Sequence, residues 1–529
     1  MKRIVVTVVA AGLALSGASV ANAAPKPTGF QPKPISWGQC ANTRLQGIGA
    51  QCGLLEVPLD YAKPGGKKIK IAVSRLKHKA PDAKYQGPLL INPGGPGGSG
   101  LVYPLLSRSI PADVGDTYDW IGFDPRGVGS SEPQVSCDGD YFAPVRPSFV
   151  PETRDIEQAW LKRAKDYANA CTAKYGELLD HLKTTDNVND MESIRKALGE
   201  EKINFYGFSY GTYLGQVYST LFPDRMRRMV FDGTVDPRRV WYDANLDQDV
   251  AFNKSIKIFF DWVAKNEAVY KLGKTGAEVE KAYYAKLAEL TKKPSVIGAA
   301  EWNDAFVRAG YYVYGWADVA SAFAAAVKNG DLEPIKGLYE NSNGTGPGAD
   351  NGYAIYLSTQ CTDVKWPKSW VKWQVDNWFT YNRAPFYTWD NAWFNAPCLN
   401  WTGEAGKPVK IDGRKTQSLL LIGETYDAAT PFEGGLEVRS RYPNSALIEG
   451  VGGSTHSGSL SGVECTDTAI FDYLATGKLP ERKSGRRSDL QCDPVPAPDP
   501  AAAAKTSASA GASRSLIPTA GTSRLLVRD

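Results

Sequence analysis

Histidine is scarce in this chain: three occur in 529 residues, at His78, His181 and His456, and there is no Cys-x-x-Cys. A zinc centre built from Cys and His needs several such ligands at short spacing, so no metal and no cofactor is expected. Blocks of like charge are missing as well. Lys and Arg total 61 against 57 Asp and Glu, a formal charge of +4, which gives nucleic-acid binding nothing to rest on. Past the N-terminal stretch no apolar run is long enough to span a bilayer, so no membrane segment is expected in the mature chain. From Pro494 onward aromatic residues vanish, and residues 494–529 are built of Pro, Ala, Ser, Thr and Gly with a few charges. Such a segment cannot bury enough surface to order itself and is expected to be a disordered tail.

What is present begins with Lys2-Arg3, an apolar stretch from Ile4 and Ala21-Asn22-Ala23, the order of a secretory signal peptide over residues 1–23. A secreted, extracellular protein is expected. Residues 24–36, "APKPTGFQPKPIS", read as a proline-rich arm or pro-segment. Eight cysteines follow, an even number that suits disulfides in an exported chain. They fall into four neighbouring couples, so the expected pairs are Cys40 with Cys52, Cys137 with Cys171, Cys361 with Cys398 and Cys465 with Cys492.

Short apolar runs recur between turn residues, among them "KIKIAVSRL" (68–76), "PLLINPGG" (88–95), "INFYGFS" (203–209), "RRMVFDGTVDP" (227–237) and "QSLLLIGETYD" (417–427). Several are continuously apolar, as strands covered on both faces must be, and helical spacing at 188–199 and 209–224 alternates with them. This predicts an α/β fold with a largely parallel sheet. The rhythm breaks between about Pro237 and Lys415, a span that holds eleven of the fourteen tryptophans. The expected organisation is therefore a core in two parts, 37–237 and 416–493, with a mainly helical cap, 238–415, inserted between them. Most of the tryptophans are expected to form the core of the cap, with a few lining a substrate pocket.

The chemistry centres on Gly207-Phe208-Ser209-Tyr210-Gly211, which follows a strand candidate and opens a helix candidate. That is the setting of a nucleophile elbow, where flanking glycines let the backbone turn tightly around a strained serine. A serine hydroxyl needs a base, and the base an orienting acid. On such a fold the chain order is Ser, then acid, then His. His78 and His181 precede Ser209, so His456 in "GVGGSTHSGS" is the base. Asp427, in the loop after a strand candidate, is preferred as the acid, with Glu424 as its competitor. The developing oxyanion needs two N–H donors. Tyr210 supplies one, and Gly95 in "INPGGPGGSG" (91–100) is chosen for the other.

In this order "NPGGPGGSG", "DPRGVGSS", "YGFSYGTYLG", "FPDRMRRMVFDGTVDP", "QCTD" and "GETYDAATP" resemble the secreted tripeptidyl aminopeptidases of actinobacteria. These are serine peptidases of the α/β-hydrolase fold, related to the prolyl aminopeptidases. The resemblance spans about Cys40 to Cys492. It implies the same triad, Ser209, Asp427 and His456, an α/β-hydrolase fold with helices on both faces of the sheet, and peptide substrates with a free N-terminus. Pro93 stands where the prolyl relatives have a histidine, while Gly94-Gly95-Pro96-Gly97 remains.

An aminopeptidase must hold the α-ammonium of its substrate, and a carboxylate in a mostly apolar pocket does so through a charge-assisted hydrogen bond. Asp363, beside Cys361 and ahead of the tryptophan cluster, is the first candidate, and Arg126 is expected to be a structural ion-pair partner. The expected activity is release of short N-terminal peptides, with tripeptides foremost. A carboxylesterase or lipase on the same scaffold would need the same triad, and a non-catalytic binding protein is the reading from another class.

Overall fold

The computed structural model describes residues 29–500. The expected signal segment and most of the tail lie outside the described residues. A ten-stranded sheet forms the centre, built from β1 (Gly38–Gln39), β2 (Gln51–Pro58), β3 (Lys68–Leu76), β4 (Pro88–Asn92), β5 (Asp119–Phe123), β6 (Ile203–Phe208), β7 (Met226–Asp232), β8 (Leu419–Glu424), β9 (Ser445–Gly450) and β10 (Leu490–Cys492). Their order is β1-β2-β3-β5-β4-β6-β7-β8-β9-β10. An antiparallel ribbon, β1 to β3, pairs with β5, and all pairings from β5 through to β10 are parallel.

Alternation along each strand explains why the parallel strands are apolar throughout. Leu90, Phe205, Met229, Phe231, Leu419 and Leu421 join one core with the helices Arg154–Tyr175, Thr184–Ala197 and Tyr210–Leu221. Their neighbours Leu89, Ile91, Tyr206, Val230, Leu420 and Ile422 join a second core, which includes Leu105 and Ile110 and the helix Glu464–Thr476. Successive side chains point to opposite faces, so helices on both faces require both sets to be apolar. This is the layered α/β fold with a largely parallel sheet that the apolar runs predict.

Among the described residues no strand lies between β7 and β8. The chain there runs through helices from Tyr242–Lys265 to Thr388–Asn395, and much of this stretch packs on a core of its own around Phe259, Trp262, Trp302, Phe306, Trp316 and Phe323. Four disulfides join Cys40 to Cys52, Cys137 to Cys171, Cys361 to Cys398 and Cys465 to Cys492. Arg126 is fully buried and makes a two-pronged ion pair with Asp190, both contacts 2.7 Å.

Both ends of the described chain are docked on the rest of the fold. Phe30 packs edge-on against Tyr61 and accepts a hydrogen bond at its carbonyl from Lys196 Nζ, and Ile35 is buried beside Gly53. At the other end the N–H of Val495 donates to Glu424 Oε1 at 2.7 Å and its side chain meets Gly458. Prolines in both segments remove backbone donors, but one aromatic or branched residue in each finds a cleft and docks the chain.

Candidate active site

Every element of the site leaves the C-terminal edge of a parallel strand, where open α/β sheets place their ligand crevices. Ser209 follows β6 directly and precedes the helix Tyr210–Leu221, at φ 55° and ψ −126°. That is a backbone region a serine avoids unless its surroundings impose it. Here its N–H donates to Asp232 O at 2.9 Å, and its carbonyl accepts from Thr212 N and Thr212 Oγ1 at 2.8 and 2.6 Å. A Cβ at Gly211 would lie 2.5 Å from Asn92 O, and one at Gly94 would lie 2.4 Å from Phe208 O and 2.9 Å from Ser209 Cβ. The turn and the glycine loop after β4 therefore interlock, which sets Gly95 and Tyr210 beside Ser209 on the wall of one cavity.

Asp427 lies in the loop after β8. Its Oδ1 accepts from the N–H groups of Ala429 and Thr430, both at 3.0 Å, and its Oδ2 accepts from Thr430 Oγ1 at 2.9 Å. Both oxygens face His456 Nδ1, at 3.0 and 2.9 Å. His456 is carried by the loop after β9 and is 1% exposed. Its Nε2 is buried and has no hydrogen-bond partner among the described residues, while its backbone N–H donates to Tyr311 O at 2.8 Å. With Nδ1 held as a donor by the carboxylate, Nε2 is left as the free basic nitrogen.

Glu424, the competing acid, does other work. It accepts from Thr455 N, next to the histidine, and from Val495 N, so it ties the base loop to the C-terminal segment. Burial pushes its carboxyl up to about 8. Asp232, at the end of β7, accepts from Ser459 N at 2.8 Å, and burial raises it to about 6. The base loop is thus pinned at Thr455, His456 and Ser459.

Asp363 is not placed where an ammonium ligand is needed. It does not line the cavity, and its oxygens are taken up by Thr184 N and Thr184 Oγ1, both at 2.6 Å, and by Trp241 Nε1 at 3.0 Å. It serves the first turn of the helix Thr184–Ala197, whose exposed N–H groups need an acceptor. Burial raises it to about 6.

The cavity that Ser209 opens into has a volume of about 1170 Å³. Aromatic side chains such as Tyr141, Phe142, Tyr353 and Phe394 line much of it, and of the tryptophans beyond Pro237 only Trp241 and Trp393 reach its wall. Its charged part was hidden in the sequence. Asp304 and Asp390 both line it and share a hydrogen bond, and burial raises both carboxyls, Asp390 strongly. Arg146 pairs with Asp304 and Glu301 beside them. In "EWNDAFVRAG" Asp304 and Arg308 have the spacing of an ordinary surface pair on a helix, which masks their place at a cavity wall.

A family profile described as alpha/beta hydrolase fold matches residues 87–330, and one described as TAP-like protein matches residues 384–492. The tripeptidyl aminopeptidase of Streptomyces lividans is 40% identical over 475 residues, covering 88% of this chain and 87% of that protein. The chain belongs to the tripeptidyl aminopeptidase family. It is accordingly a serine hydrolase of the aminopeptidase class. Two proteins of Mycobacterium tuberculosis are more distant. The serine protease Hip1 is 29% identical over 474 residues, covering 85% of this chain and 90% of its own. Carboxylesterase B is 28% identical over 468 residues, covering 84% and 86%.

Proposed function

We propose that this tripeptidyl aminopeptidase family member is an exported serine exopeptidase that releases tripeptides from the free N-terminus of peptides. The observation that carries the reading is the buried His456, with Nδ1 on Asp427 and Nε2 unpartnered, on the same sheet edge as the strained Ser209. Ser209 Oγ attacks the scissile carbonyl while His456 Nε2 takes its proton. Asp427 fixes the tautomer and balances the imidazolium. The N–H groups of Tyr210 and Gly95 receive the oxyanion, and His456 returns the proton to the leaving amine. Water then releases the tripeptide from Ser209 by the reverse sequence of proton transfers. Four disulfides favour an oxidising compartment and so support export.

Asp304 and Asp390 take the ammonium role in place of Asp363. Both place carboxyl groups on the cavity wall, and a carboxylate there accepts the charge-assisted hydrogen bond of an ammonium. Length supports three residues. Asp304 and Tyr311, the residue that receives the N–H of His456, lie on one helix, Ala299–Tyr311. At 1.5 Å per residue they are about 10 Å apart along its axis, and three extended residues span about 10 Å.

The test compares a tripeptide p-nitroanilide with a free N-terminus, its N-acetylated form and p-nitrophenyl butyrate, on the native protein and Ser209→Ala. Fast cleavage of the free tripeptide alone, lost in the variant, is expected. Equal cleavage of the acetylated compound would defeat the ammonium assignment. Turnover of the ester only would favour the carboxylesterase reading, to which carboxylesterase B is the relevant relative.

A further inference from the structure

The cavity wall carries five arginines and one lysine: Arg146, Arg238, Arg239, Lys254, Arg308 and Arg383. Arg146 pairs with Glu301 and Asp304, Arg238 with Asp236 and Glu437, and Arg239 with Asp247. Lys254 lies over the ring of Tyr426 at 3.9 Å and Arg383 over Phe379 at 5.3 Å. Among the described residues Arg308 has neither an acid nor a ring. Its Nε is buried without a hydrogen-bond partner, although an Asp four residues earlier on a helix would ordinarily pair with it. That aspartate, Asp304, is turned to Arg146 and Asp390 instead. The Arg308 stem lies against Gly315, where a Cβ would come within 3.0 Å of Nε and 3.4 Å of Cγ. The absent side chain at 315 is what gives the arginine its place.

An arginine positioned by packing, partly desolvated and left unpaired on a substrate cavity is a receptor for a carboxylate, whose two oxygens match its planar fork. Building on the exopeptidase reading above, we infer that Arg308 is a specificity-determining residue that receives an acidic side chain, Asp or Glu, at the middle of the three released residues. The position follows from the helix. Arg308 stands about 4.5 Å along the axis from Tyr311, at the level of the catalytic histidine, and about 6 Å from Asp304, at the proposed ammonium end. A peptide stretched between those ends brings its second residue to Arg308.

The experiment measures kcat/KM for free Ala-X-Ala p-nitroanilides with X Glu, Gln or Lys, together with Glu-Ala-Ala and Ala-Ala-Glu p-nitroanilides. The native protein is expected to favour X Glu over the isosteric Gln by about tenfold or more, with no such gain for Glu at the other two positions. Arg308→Gln should bring the Glu to Gln ratio to about one. Arg308→Glu should invert the order so that Lys is preferred, a result that damaged folding cannot produce. A native Glu to Gln ratio near one, a gain at the first or third position, or a gain that survives Arg308→Gln would each overturn the inference while leaving the exopeptidase reading intact. If none of the free tripeptides is cleaved, the exopeptidase reading fails, and this inference fails with it.

Discussion

Replacing Glu424 by Gln should change the pH dependence of stability in a calculable way. The carboxyl sits under the base loop, near Asp427 and Asp232, and burial, the backbone donors and these two neighbouring acids together leave it at about 8 instead of the ordinary 4.5. The folded protein therefore keeps this proton up to about pH 8, whereas the unfolded chain releases it near 4.5. Between those values unfolding releases a proton, so stability falls as pH rises, and it is flat on either side of the window. At 1.36 kcal/mol per pKa unit the loss across the whole window is on the order of 5 kcal/mol. A folded body of this size has an unfolding entropy of about 1 kcal/mol/K, so the loss corresponds to about 5 °C in Tm. Gln carries no titrating proton, although only its amide oxygen can still accept one of the two backbone N–H groups. Calorimetry at one scan rate should find the Tm of the native protein falling between pH 5 and pH 9 by about 4 °C more than that of Glu424→Gln. A difference in Tm that is the same at both pH values would refute the reasoning, because it would mean that Glu424 titrates alike in both states.

Asp427→Asn should lower kcat by about 10³ to 10⁴ with little change in KM, because an amide facing Nδ1 favours the tautomer that places the proton on Nε2; a loss under tenfold would show that Thr430 alone orients the ring. Asp363→Ala should cost about 1 to 3 kcal/mol by stranding the donors of Thr184 and Trp241, yet leave the discrimination between free and acetylated substrates unchanged. Loss of that discrimination would restore Asp363 to the substrate. Asp190→Ala leaves the Arg126 guanidinium buried and unpaired, and a drop of about 3 to 5 kcal/mol in stability is expected by denaturant titration; a drop below about 1 kcal/mol would mean that water reaches Arg126.

The strands from β3 to β9 were legible because each is a compact apolar run bounded by turn residues, a pattern that only a sheet covered on both faces demands. The edge strands were not. β2, "QCGLLEVP", alternates only weakly, with Gly53 and Pro58 breaking the pattern, and β10 is three residues long. The contact of Asp427 with His456 could be anticipated because chain order on this fold limits the choice to a short loop. Asp363 misled because what fixes an acid's role is where its acceptors are spent, and Thr184 is 179 residues away. Asp390 meets Asn303 across 87 residues, a distance at which neither spacing nor composition carries a signal.

The tie between Val495, Glu424 and Thr455 also bears on timing. Synthesis runs from the N-terminus, so the strand and helix that hold Ser209 can form while the loops bearing Asp427 and His456 are still being made. The backbone that steadies the base loop comes later still. On the proposed mechanism a nascent chain therefore carries a serine with no base to deprotonate it, and its reactivity waits for the last portion to close over the sheet. On that mechanism the order of the residues along the chain acts as a safety catch.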